Sequence, residues 1–139
     1  MELKKRKSRA QLAEERLARE QPIFDKVADH MLTQGMKSVD VHGKCVYRSD
    51  TGRSCAIGCL IPDELYDKSF EGQAVMHERL QKVIKKAGFK RINSLLVSLQ
   101  GVHDDFDASR WAKVLHTCAD EFQLSHDVID KHDGYPTKS

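Results

Sequence analysis

Four segments of this chain carry apolar residues at helical spacing, and the stretch between the first and second does not; that change of period constrains the architecture most. Ile23, Phe24, Val27, Met31 and Leu32 form the first stripe, and Val75, Leu80, Val83 and Ile84 the second. Leu95, Leu96, Leu99 and Val102 form the third, and Trp111, Val114, Leu115, Cys118 and Phe122 the fourth and most regular. Gly35 and Gly88 are placed to end the first two, and Asp107 or Ser109 to cap the fourth. Between Gly35 and Pro62, strand-favouring Val39, Val41, Val46 and Tyr47 are punctuated by His42-Gly43 and followed by the turn sequence Asp50-Thr51-Gly52.

The expected fold is α+β: a small, mostly helical domain of four to five helices packed around one short antiparallel β-hairpin, residues 44–49 with 53–57. A three-residue loop with Gly52 in the left-handed conformation sets Cys45, Tyr47, Cys55 and Ile57 on one face. A four-residue loop sends Cys45 and Cys55 to opposite faces, because a one-residue slip inverts a strand.

At 139 residues the chain suits one domain with a core that needs no disulfide staples. Residues 22–125 are expected to form it. Residues 1–21 carry seven basic and four acidic side chains, a net of +3, while the remainder carries 16 basic and 17 acidic, a net of −1. The basic asymmetry therefore belongs to an N-terminal arm, read as a solvated helix or flexible segment that Gln21-Pro22 breaks from the domain. Residues 126–139 read as a loose polar tail. The chain has no run of about 18 apolar residues and no apolar segment at its N-terminus. No membrane contact, a cytoplasmic location and reduced cysteines are the expectation.

Cys45, Cys55 and Cys59 lie within 15 residues of one another. Two chemistries can use them. Cys55 and Cys59 have a spacing found in zinc sites, and Cys45 and His103, or else His42 or Cys118, complete four ligands. Alternatively Cys55 or Cys59 is the nucleophile of a thiol-dependent hydrolase, activated by a nearby helix start, with His103 as base and Asp104 to orient it. Against both stands the ordinary behaviour of free cysteine as a small buried hydrophobe. Adjacent His103 and Asp104 are expected to point in different directions, the histidine complementing a helix C-terminus and the aspartates opening a turn. The favoured reading has no catalytic residue, no metal and no cofactor, with zinc as the alternative.

Lys4, Lys5, Arg6, Lys7 and Arg9 place five cations in six residues. Such a cluster suits a phosphate backbone or an acidic protein groove, and its binding is salt-sensitive. Nothing else in the sequence points to a nucleic-acid fold. The expected function is therefore interaction without catalysis, with a host protein or nucleic acid held through the arm.

Residues 22–124 resemble a family of small uncharacterised proteins of bacteria and their tailed phages. The resemblance rests on Phe24-Asp-Lys-Val27, Gln34-Gly35 with Ser38-Val39-Asp40, and Cys45-Val-Tyr47-Arg48. It extends through Cys55-Ala-Ile-Gly-Cys59-Leu-Ile-Pro62-Asp63 and Leu99-Gln100-Gly-Val-His103-Asp104 ahead of Trp111. It implies a phage or bacterial origin and a reducing cytoplasm, and no particular mechanism.

Overall fold

The computed structural model of the chain describes residues 6–74, 77–89 and 93–132. Among the described residues there are five α-helices: α1 (Arg9–Gln34), α2 (Glu78–Lys86), α3 (Ser94–Asp105), α4 (Trp111–Glu121) and α5 (Asp127–Asp130). Short 3-10 turns occupy Gly58–Leu60, Asp63–Leu65, Lys68–Phe70 and Ala108–Arg110.

The core forms where the C-terminal half of α1 meets α3 and α4, with α5 laid against α1 and α4. Phe24, Val27, Ala28 and Met31 of α1 are wholly buried, as are Leu95, Leu96 and Leu99 of α3 and Trp111, Leu115 and Ala119 of α4. Each set recurs at three- and four-residue intervals, so each helix turns one apolar face inward. Leu80 and Ile84 bury α2 in the same way. Val75, expected in that stripe, lies outside the described residues. No helix among the described residues is long and apolar enough to cross a membrane.

The expected β-hairpin is not present: the described residues contain no β-strand, and the fold is helical rather than α+β. The segment retains two isolated antiparallel bridges, Val39 with Cys45 and Arg48 with Ser54. Ser49 N–H donates to Arg53 O at 2.9 Å and Cys55 N–H to Tyr47 O at 3.1 Å, but no ladder follows. The reason lies in where the backbone donors go. Tyr47 N–H and Arg48 N–H both donate to the Glu71 carboxylate, at 2.8 and 3.1 Å, and Val46 N–H donates to Ser38 O. Asp40 folds its own loop by accepting from His42 N–H and Lys44 N–H, each at 2.9 Å. A carboxylate and tight turns satisfy the polar backbone that a second strand would have satisfied.

A second correction concerns Pro22, which does not break the chain but sits inside α1. The helix starts at Ser8, whose hydroxyl accepts from Gln11 N–H while the Gln11 side chain accepts from Ser8 N–H, and ends at Gly35 in the left-handed conformation. Proline removes one helical hydrogen bond. Tertiary contacts on either side of it hold the helix together. Arg16 donates to Glu20 at 2.8 Å and to Phe122 O at 3.1 Å, and the Gln21 amide exchanges two hydrogen bonds with the Ser125 backbone. Of the expected loose tail, Asp127–Asp130 is helical and Ile129 is wholly buried; residues 133–139 lie outside the described part. Neither Asp107 nor Ser109 caps α4, which is entered instead through the Ala108–Arg110 turn.

Candidate functional site

Gln100, His103 and Asp104 occupy positions i, i+3 and i+4 of α3 and so share one face of its last turns. The segment from Ser38 to Cys59 lies across that face and is tied to it by polar contacts. Ser38 N–H donates to His103 Nε2 at 3.0 Å, Ile57 N–H to Gln100 Oε1 at 2.9 Å, and Gln100 Nε2 to Asp104 Oδ1 at 3.0 Å. His103 Nδ1 lies 2.7 Å from Asp104 Oδ1, and the imidazole stacks on Trp111 at 5.3 Å between centroids. The expectation that these neighbours point apart is overturned: the two side chains meet. A ring that accepts at Nε2 and donates at Nδ1 is the neutral Nδ1–H tautomer. His103 lies in the last turn of α3, as expected, and, wholly buried, it also fastens the loop to that helix.

Cys45 completes a group with His103 and Asp104 in which one ligand atom from each lies within 4.8 Å of the others. It opens onto a cleft of about 340 Å³ bounded by Cys45, Tyr47, Glu71, Gln73, Gln100 and Asp104. Cys55, Cys59, His42 and Cys118, the other expected ligands, stand outside this group. Both nitrogens of His103 are already engaged in a buried setting, so ligation would require breaking the bond from Ser38 or the one to Asp104.

The electrostatics oppose thiolate chemistry. Burial pushes the Cys55 thiol up to about 12, against the lowering effect of the Gly58 N–H and Gln100 hydrogen bonds. Burial also lifts Cys59 to about 12, outweighing Lys26, and Cys118 to about 11. Cys45 is raised by burial and then by the charge of Asp104 beside it. Burial acts to raise the Asp104 carboxyl as well, but hydrogen bonds from His103, Gln100 and Cys45 prevail and hold it below the ordinary carboxylate value. At neutral pH the arrangement offers thiols, not nucleophilic thiolates. All four cysteines are accordingly expected to react slowly with iodoacetamide at pH 8 in the native protein and readily in denaturant. One native thiol alkylated at the rate of a free peptide cysteine would contradict this.

The Cys55-Ala-Ile-Gly-Cys59 motif reads in the structure as a turn. Cys55 Sγ accepts from Gly58 N–H at 3.3 Å, Cys55 O accepts from Cys59 N–H at 3.0 Å, and the Cys59 thiol donates to Ala56 O at 3.1 Å. Cys59 faces a different hollow, bounded by Lys26, His30, Gln34 and Arg53, and so does not share the cleft of Cys45.

Of the cationic arm, Lys4 and Lys5 lie outside the described residues. Arg6, Lys7 and Arg9 are exposed, and Lys7 pairs with Glu15 at 2.7 Å. One carboxylate and one three-residue cluster carry no mark in the sequence reading. Glu71, with no periodic neighbour to mark it, gathers Tyr47 N–H, Arg48 N–H and the Tyr66 hydroxyl. His116 and Asp120 form a cluster with His126; their i, i+4 spacing was the available signal. No protein-family model, curated protein or solved structure matches the chain.

Proposed function

We propose that this is a non-catalytic binding protein of bacterial or phage origin that engages an acidic macromolecule of its host, protein or nucleic acid, through the N-terminal end of α1. The observation that carries the reading is the exposure of every residue from Arg6 to Glu15, ahead of the first half-buried positions, Arg16 and Leu17. At 1.5 Å per residue the 26-residue α1 is about 39 Å long. Its first turns therefore stand clear of the body. Arg6, Lys7 and Arg9 sit at the positive end of the helix dipole, which disfavours them in isolation and adds to their field toward an anionic partner. The raised thiols and the doubly engaged His103 support a role outside catalysis. The bacterial or phage origin and the host partner in this proposal rest on the sequence resemblance alone.

The test is a binding titration of the full chain, against labelled duplex DNA and against partners crosslinked in host extract, compared with a Lys4, Lys5, Arg6, Lys7 and Arg9 to Gln variant. Binding is expected to weaken at least tenfold in the variant. For DNA it should fall by a few hundredfold between 50 and 200 mM salt if about five phosphates are neutralised. Unchanged binding in the variant would remove the arm from the function. Turnover of a substrate that is lost on Cys55→Ser or His103→Ala would replace the proposal with an enzymatic one.

A further inference from the structure

We infer that His116, Asp120 and His126 form a divalent transition-metal site, with zinc as the fitting ion, at the corner between α4 and α5. One ligand atom from each of the three residues lies within 4.8 Å of the other two. His116 and Asp120 are one helical turn apart on α4, with Nδ1 and Oδ2 3.7 Å apart, and are held on a common face by the helix itself. His126 comes from the connection into α5, and its ring lies against that of His116 with centroids 3.8 Å apart and planes inclined by 32°. Two imidazoles and a carboxylate are a normal zinc donor set, leaving a fourth position for water.

The second layer of the site is already in place. His126 Nδ1 is 2.9 Å from Asp130 Oδ2, the first helical turn of α5 presenting the carboxylate. A carboxylate that accepts a hydrogen bond from Nδ1–H fixes the tautomer and leaves the Nε2 lone pair for a metal, the arrangement that raises the basicity of ligating histidines. Ligand atoms around a tetrahedral zinc lie roughly 3.3 Å apart, from bond lengths near 2.0–2.1 Å. The ligand atoms, within 4.8 Å of one another, must therefore close by at most about 1.5 Å while the two stacked rings spread apart, and the partial exposure of the side chains leaves room to do so. The same corner holds α1: Phe122 O and the Ser125 backbone receive Arg16 and Gln21. A metal bridging α4 to the α5 connection would brace the seat of the projecting helix.

The site is separate from the Cys45 group and does not depend on the proposed binding role. Full-length reduced protein is titrated with zinc chloride by calorimetry, alongside His116→Ala/His126→Ala, Asp130→Asn and Cys45→Ser, each checked by circular dichroism. The expected result is one zinc per chain with micromolar affinity, unchanged in Cys45→Ser, lost in the double variant, and weakened about tenfold in Asp130→Asn. Substituted cobalt should show no thiolate charge-transfer absorption. Zinc should raise the melting temperature of the wild-type protein by several degrees and leave that of the double variant unmoved. No binding at 100-fold molar excess over a micromolar constant, or binding that survives the double variant or shows cobalt–thiolate absorption, would overturn the assignment.

Discussion

Gly58→Ala is expected to destabilise the protein by about 3 kcal/mol, the upper part of the range for overpacked sites, and to lower the urea midpoint by roughly 1–2 M. A Cβ built on Gly58 would meet the Tyr47 carbonyl oxygen at 2.0 Å and its carbon at 2.8 Å. Both are backbone atoms, so no side chain can swing aside. The carbonyl also cannot retreat freely, because it accepts the Cys55 N–H at 3.1 Å. Gly35→Ala is the contrast. Gly35 has φ of +68° with nothing within 4 Å of its Cβ position, so only the left-handed strain of about 1 kcal/mol applies. Equal losses for the two variants would mean that close approach is not what demands glycine in the Cys55–Cys59 motif.

His103→Leu is expected to cost about 3 kcal/mol although it keeps an apolar side chain under Trp111. Ser38 is wholly buried, so its N–H would lose its acceptor with no water to replace it. Asp104 would lose the hydrogen bond from Nδ1. His103→Gln, whose amide oxygen can still accept from Ser38, should lose less. The pH dependence carries the sign of a depressed carboxylate. Asp104 contributes stability above the ordinary carboxylate value near 4, and that stability is lost as the solution is acidified through its lower folded value. The gap between wild type and His103→Leu in denaturant melts should therefore be full at pH 7 and narrow below about pH 4. A gap that persists at the same size in acid would mean that the lost Ser38 acceptor and packing, not the carboxylate, account for the cost.

What the sequence made legible was the inward faces of the helices. Phe24, Val27 and Met31, or Leu95, Leu96 and Leu99, are unmistakable because apolar periodicity is a local property that the core uses directly. The 36–61 segment was misread for an equally physical reason. Val39, Val41, Val46 and Tyr47 have strand propensity, but a strand needs a partner for its donors, and Glu71, more than 20 residues away, takes two of them. Pro22 misled in the same manner, since what carries α1 past it are contacts with Phe122, Gln123 and Ser125. At the candidate site, residue identity was visible and geometry was not. Cys45, His103 and Asp104 were all marked, yet their meeting depends on how a loop lies across α3.

The clasp at the base of α1 also bears on how the chain is made. Arg16 with Phe122 and Gln21 with Ser125 join positions 106 and 104 residues apart. A chain synthesised from its N-terminus displays the cationic arm and the proline-bearing helix long before the residues that anchor them exist. α3 and α4 can close their local contacts early, but α1 gains its seat only once residues 122–125 have left the ribosome. Of the helices described, α1 is thus the first to be made, yet it waits for residues that follow α4 before its base is clasped.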